Sequence, residues 1–82
     1  MPGSLKSPLR IAGTKQVLKA VDRRALECVY IAADADAILR EKLTNACREA
    51  DVLIIEAKSM KILGEACGID VGAACAGLLK KA

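Results

Sequence analysis

Residues 27 to 33 read E-C-V-Y-I-A-A and are followed at once by D-A-D at 34 to 36. Seven residues centred on Val, Tyr and Ile match a strand in length. Because apolar side chains occupy both alternating faces, that strand requires cover above and below, as in the interior of a sheet flanked by helices. The carboxylates end the run, and Asp36 offers an N-cap to a helix in which Leu39, Leu43, Ala46, Cys47 and Ala50 share a stripe opposite Arg40, Glu41, Thr44 and Arg48.

The same grammar extends in both directions. Upstream, residues 1–8 (M-P-G-S-L-K-S-P) read as a loose tail, residues 9–12 as a short extended lead-in, and Gly13-Thr14 as a helix start with Thr14 as N-cap. Val17, Leu18, Ala20 and Val21 give that helix an apolar face to about Arg23. Downstream, Asp51 breaks the second helix and residues 52–55 (V-L-I-I) form a second buried strand. Ser59 caps a third helix carrying Ile62, Leu63, Ala66 and Cys67, which Gly68 closes. Residues 73–79 are small and fit either a last strand or a short helix. The resulting order predicts an α/β fold, a single small three-layer α/β/α sandwich around a mixed sheet over residues 9–82.

Composition narrows the function. The 82 residues carry thirteen basic and ten acidic groups, a net charge of +3, which is a weak pointer to an anionic partner. One Tyr and no Phe or Trp argue against RNA readers that stack bases on aromatic rings. Binding of nucleic acid would work through shape, base edges and phosphates. The chain has no His, and Cys28, Cys47, Cys67 and Cys75 contain no C-x-x-C spacing, so no metal or other cofactor is expected and each Cys reads as a small buried hydrophobe. Without a nucleophile–base pair or a G-x-G-x-x-G loop, no enzyme is expected. Lacking a signal peptide or a stretch of ~20 apolar residues, the chain is expected in the cytoplasm, with reduced thiols and no membrane contact.

Two segments break local rules. The first helix opens with Lys15 and Gln16, and Lys19 follows one turn later on the same edge. Helix N-termini favour anions by about 0.3–1 kcal/mol, so a cation there fits an incoming phosphate; on a solvated face it is also an ordinary lysine. The second segment is Gly68-Ile69-Asp70-Val71-Gly72, whose Ile and Val either fold back onto the core or meet a ligand. Asp34 and Asp36 read as helix caps, not as an acid/base pair, and Asp34→Ala is expected to leave ligand binding almost unchanged.

With those residues read, the sequence resembles the kink-turn-binding ribosomal protein superfamily named for the archaeal protein "L seven Ae", and most closely its short bacterial, ribosomal-protein-like branch. Three stretches carry the resemblance: G-T-K-Q-V-L-K at 13–19, I-A-A-D-A-D at 31–36, and L-G-E-A-C-G-I-D-V-G-A-A at 63–74. The resemblance implies binding of RNA kink-turns, in ribosomal RNA or a messenger leader, with the ribosome among the expected partners; a monomer is the simpler expectation. It also implies roles. Gly13 and Thr14 would bring backbone and hydroxyl to phosphate, Lys15 and Gln16 would face the guanines of tandem sheared G·A pairs, and Lys19 would reach a guanine edge or phosphate. Ile69, Asp70, Val71, Gly72 and Ala73 would lie against the flipped-out nucleotide. Departures are Lys15-Gln16 where archaeal relatives have Asn-Glu, Ala37 where Pro is frequent, and Arg24 where Gly is frequent. The alternative from another class is a protein–protein interaction module on the same fold, docking an acidic partner without RNA.

Overall fold

The computed structural model describes residues 10–69 and 72–80. The tail expected over 1–8, along with Leu9, Asp70, Val71 and the last two residues, lies outside them. At the centre is β2 (Leu26–Ala32), whose side chains alternate as the sequence pattern requires. Cys28, Tyr30 and Ala32 enter one apolar cluster, and Val29 and Ile31 enter another on the opposite face. β2 pairs in parallel with β3 (Leu53–Ala57) and antiparallel with β4 (Cys75–Leu79), and β4 pairs antiparallel with β1 (Arg10–Ala12). The sheet order is therefore β1-β4-β2-β3.

Two helices, α1 (Thr14–Asp22) and α2 (Ala37–Ala50), cover one face with Val17, Ala20, Val21, Leu43 and Cys47. α3 (Met60–Ala66) covers the other with Leu63, and Cys67 just beyond it joins the same cluster. The expected three-layer sandwich with a mixed sheet is thus the observed one. Ile62, expected on the apolar stripe of α3, is half exposed instead, because this helix of only seven residues turns Leu63 inward.

Pairing resolves the small-residue segment as strand β4, starting at Cys75. A bulge in β2 accounts for the glycine of β4: Leu26 pairs with Leu79 and Cys28 with Leu78, leaving Glu27 as the extra residue. The bulge turns Leu26 to the face opposite Cys28, where its side chain lies over Gly77; a Cβ on Gly77 would sit 2.8 Å from Leu26 Cδ1.

Each helix ends in the same way. A left-handed residue (Arg24 at φ 56°, Asp51 at φ 57°, Gly68 at φ 76°) follows the last turn. The next amide then donates back to a carbonyl: Ala25 to Ala20, Val52 to Cys47 and Ile69 to Gly64. Arg24 thus occupies a backbone conformation suited to Gly, and Ala37 is the first residue of α2, where Pro is equally at home.

β1, β2 and β3 run in one direction, and each is followed by a helix. The N-termini of α1, α2 and α3 therefore share one edge of the sheet with the start of the antiparallel β4. No helix among the described residues is long and apolar enough to cross a membrane.

Candidate nucleic-acid interface

On that edge the three helix starts are chemically unequal. Asp36 Oδ2 accepts from Leu39 N at 3.2 Å to cap α2, and Ser59 Oγ accepts from Ile62 N at 3.1 Å to cap α3. α1 has no side-chain cap. Its N-cap is Gly13, not Thr14 as the sequence pattern led us to expect, and Gly13 takes φ 99° and ψ 134°, a conformation closed to most side chains. Thr14 is the first helical residue, and its hydroxyl is turned toward Cys75, whose Sγ donates to it over 3.9 Å. The opening amides of α1 consequently have no side-chain acceptor of the kind that serves the other two helices.

Lys15, Gln16 and Lys19 are all exposed, and the first turn of α1 holds no acidic residue. Gln16 and Lys19 also border a shallow groove with Ile11, Ala20 and Arg23. Arg23 continues the cationic edge one turn beyond Lys19, and sequence reasoning passed over it as a helix end; its i+4 spacing from Lys19 was the available signal.

The segment after α3 reaches the same edge. Gly68 leaves the helix, and Ile69 is 37% exposed, so its side chain does not fold fully onto the core. Gly72 is exposed, with its backbone against Met60: a Cβ there would lie 3.2 Å from Met60 Cβ and 3.3 Å from its carbonyl carbon. Ala73, which the resemblance places against the flipped-out nucleotide, is buried. Its side chain is in the core and its N–H donates to Met60 O at 3.0 Å. Ala32 N donates to Ala74 O at 2.9 Å, and the next residue is Cys75, in contact with Thr14. The start of α1 and the end of the 69–74 segment are therefore neighbours on one side of the molecule. Asp70 and Val71 are outside the described residues.

Other chemistry is sparse. All four cysteines are free and buried, and burial pushes each thiol above its ordinary pKa; at Cys75 the Thr14 hydroxyl partly offsets this. Buried, protonated thiols are poor nucleophiles and poor ligands. Among the described residues no group of three or more His, Cys, Asp or Glu side chains could hold a metal ion. Tyr30, the sole aromatic residue, is buried in the sheet and offers no stacking platform.

A family profile described as ribosomal protein L7Ae/L30e/S12e/Gadd45 matches residues 4–82. The chain belongs to that family. Among its L7Ae-family relatives, an RNA-binding protein of Caldanaerobacter subterraneus subsp. tengcongensis is 48% identical over 69 residues, covering 84% of each chain. The RNA-binding protein YbxF of Geobacillus stearothermophilus is 43% identical over 70 residues, covering 85% of each. Among solved structures, the Giardia lamblia 15.5kD RNA binding protein superposes with a TM-score of 0.82 at 35% identity, over 89% of this chain and 62% of that one. A Bacillus halodurans protein of unknown function shares the L7Ae-type fold with a TM-score of 0.84 at 22% identity, over 93% of this chain and 76% of that one.

Proposed function

We propose that this protein binds RNA, without catalysis, through the edge formed by the start of α1 and the 69–73 segment, and that its target is a kink-turn with tandem sheared G·A pairs. The carrying observation is the exposed start of α1, with no side-chain cap and with Lys15, Gln16 and Lys19 displayed beside the junction of Thr14 with Cys75. Relatives that share 43 to 48% of its residues and are named RNA-binding proteins support the RNA-binding part of this reading.

The chemistry follows from the donors. Guanine presents two acceptors, N7 and O6, in the major groove, and a Lys ammonium satisfies both as a point donor. Gln16 both donates and accepts, so it can read one mixed base edge. Gly13 offers its backbone to phosphate, Thr14 can donate its O–H there while its oxygen accepts from Cys75 Sγ, and the free amides of the helix start favour the same charge. A kink crowds phosphates together, so a protein that neutralises them stabilises the bent form by mass action. Ile69, Asp70, Val71 and Gly72 present the second surface to the extruded nucleotide, and Ala73 contributes as the segment's buried foot. The setting proposed is a cytoplasmic monomer on ribosomal RNA or a messenger leader.

The test is a titration against a kink-turn stem and against the same stem with its G·A pairs replaced by Watson–Crick pairs. Strong preference for the first is expected. Equal affinities would overturn the proposal, and partners that survive ribonuclease treatment would favour a protein-docking module.

A further inference from the structure

Asp34 and Asp36 stand two residues apart at the exit of β2, yet they serve different helices. Asp36 caps its own helix, α2. Asp34 Oδ1 instead accepts from Met60 N at 2.8 Å, across 26 residues of sequence. Met60 is the first residue of α3, so its N–H has no partner inside the helix, and Ser59 Oγ is already engaged with Ile62 N. The same Met60 residue holds the 72–74 segment: its carbonyl accepts from Ala73 N, and its backbone is what Gly72 packs against. Ala74 O is held in turn by Ala32 N, two residues before Asp34. The carboxylate therefore closes a ring of contacts running from the β2 exit through the start of α3 to the residues that approach Thr14.

We infer that Asp34 is a positioning residue for RNA recognition, fixing the Gly72–Ala73 foot through Met60 so that the segment meets the extruded nucleotide in one geometry. This rests on the RNA-binding reading above. It also revises the expectation from sequence that Asp34→Ala is nearly silent. Asp34 is exposed and belongs to neither apolar cluster, so its removal leaves the core intact while releasing the foot.

The experiment measures affinity for two kink-turns, one intact and one abasic at the extruded nucleotide. Burying an aliphatic side chain such as Ile69 against the base is worth about tenfold in affinity, so wild type should bind the abasic RNA about tenfold more weakly. For Asp34→Ala the intact RNA should bind about tenfold more weakly than to wild type, and the abasic penalty should shrink to about twofold or less, as the aliphatic contact is lost. Asp34→Asn keeps an acceptor without the charge and should retain most of the penalty. A second route deletes the donor: Met60→Pro, at a helix position where Pro is tolerated, should lose the penalty relative to Met60→Ala, which keeps its N–H. General destabilisation lowers the folded fraction equally for both RNAs and leaves their ratio unchanged. A full abasic penalty in Asp34→Ala and in Met60→Pro overturns the inference, as does a wild type that prefers G·A stems yet ignores the missing base. A wild type indifferent to the G·A pairs removes the RNA reading itself.

Discussion

Gly13→Ala isolates the backbone that shapes the proposed RNA edge. At φ 99° the residue sits where L side chains rarely go, yet a Cβ there would meet nothing within 4 Å. Steric packing therefore contributes nothing, and the penalty is conformational. Holding a non-Gly residue in such a region costs about 1–3 kcal/mol, while the stiffer unfolded chain returns about 0.4–1 kcal/mol. The net expectation is a loss of about 1–2 kcal/mol. For a domain of this size that lowers Tm by roughly 4–16 °C. Urea unfolding should show a lower midpoint at unchanged m. RNA affinity should fall as well, because an Ala that relaxes its φ swings the opening amides of α1 away from their target; losing one charge-assisted bond costs about tenfold or more. The matched control is Asp51→Ala, also at positive φ (57°) and exposed, but at the opposite edge of the sheet, where Ala tolerates the left-handed region less well than Asp. It should cost stability without a comparable loss of RNA binding. A Gly13→Ala protein as stable as wild type would refute the left-handed assignment at the helix start, and one with intact RNA affinity would refute its part in binding.

Three further outcomes are expected. Lys15→Ala should weaken RNA binding and flatten its salt dependence by about 0.7–0.9 in log–log slope, the loss of one phosphate contact; an unchanged slope in filter-binding or anisotropy titrations from low to moderate salt would remove Lys15 from the interface. Arg24→Gly should raise stability by up to about 1 kcal/mol, since a left-handed non-Gly residue costs about 1–2 kcal/mol and the looser unfolded chain takes part of that back; Arg24 is exposed, so no packing is lost, and a lower urea midpoint would contradict the geometry. The buried thiols hold their protons in the folded state above the unfolded cysteine pKa of about 8.5. The unfolded chain then binds fewer protons, so stability should be level below about pH 8 and fall as pH rises through the alkaline range. Urea midpoints that rise between pH 8 and 10.5 would contradict that burial.

The parts of this molecule that sequence could reveal are those written in local pattern. The two-faced run around Val29 identified a covered strand, and Asp36 and Ser59 were legible as caps because a cap and its amide lie three residues apart. Lys15, Gln16 and Lys19 are exposed as the pattern required. What escaped was non-local. The 73–79 segment is a strand through its pairing with β1 and β2, and the need for Gly77 arises from Leu26 lying over it beside the Glu27 bulge. The true partner of Asp34 is 26 residues distant. Thr14 has the better capping side chain, but the backbone at Gly13 starts the helix and the hydroxyl is drawn to Cys75 instead. Ala73 is held inside by a bond to the Met60 carbonyl, thirteen residues distant, that no local pattern announces.

Backbone amide chemical-shift mapping on addition of a kink-turn RNA is the most direct trial of the RNA edge. The largest changes should fall on residues 13–19 and 69–73, with Arg24, Ala25, Asp51 and Val52 at the opposite edge of the sheet nearly unmoved. Shifts concentrated on that opposite edge, or spread evenly over the surface, would contradict the account.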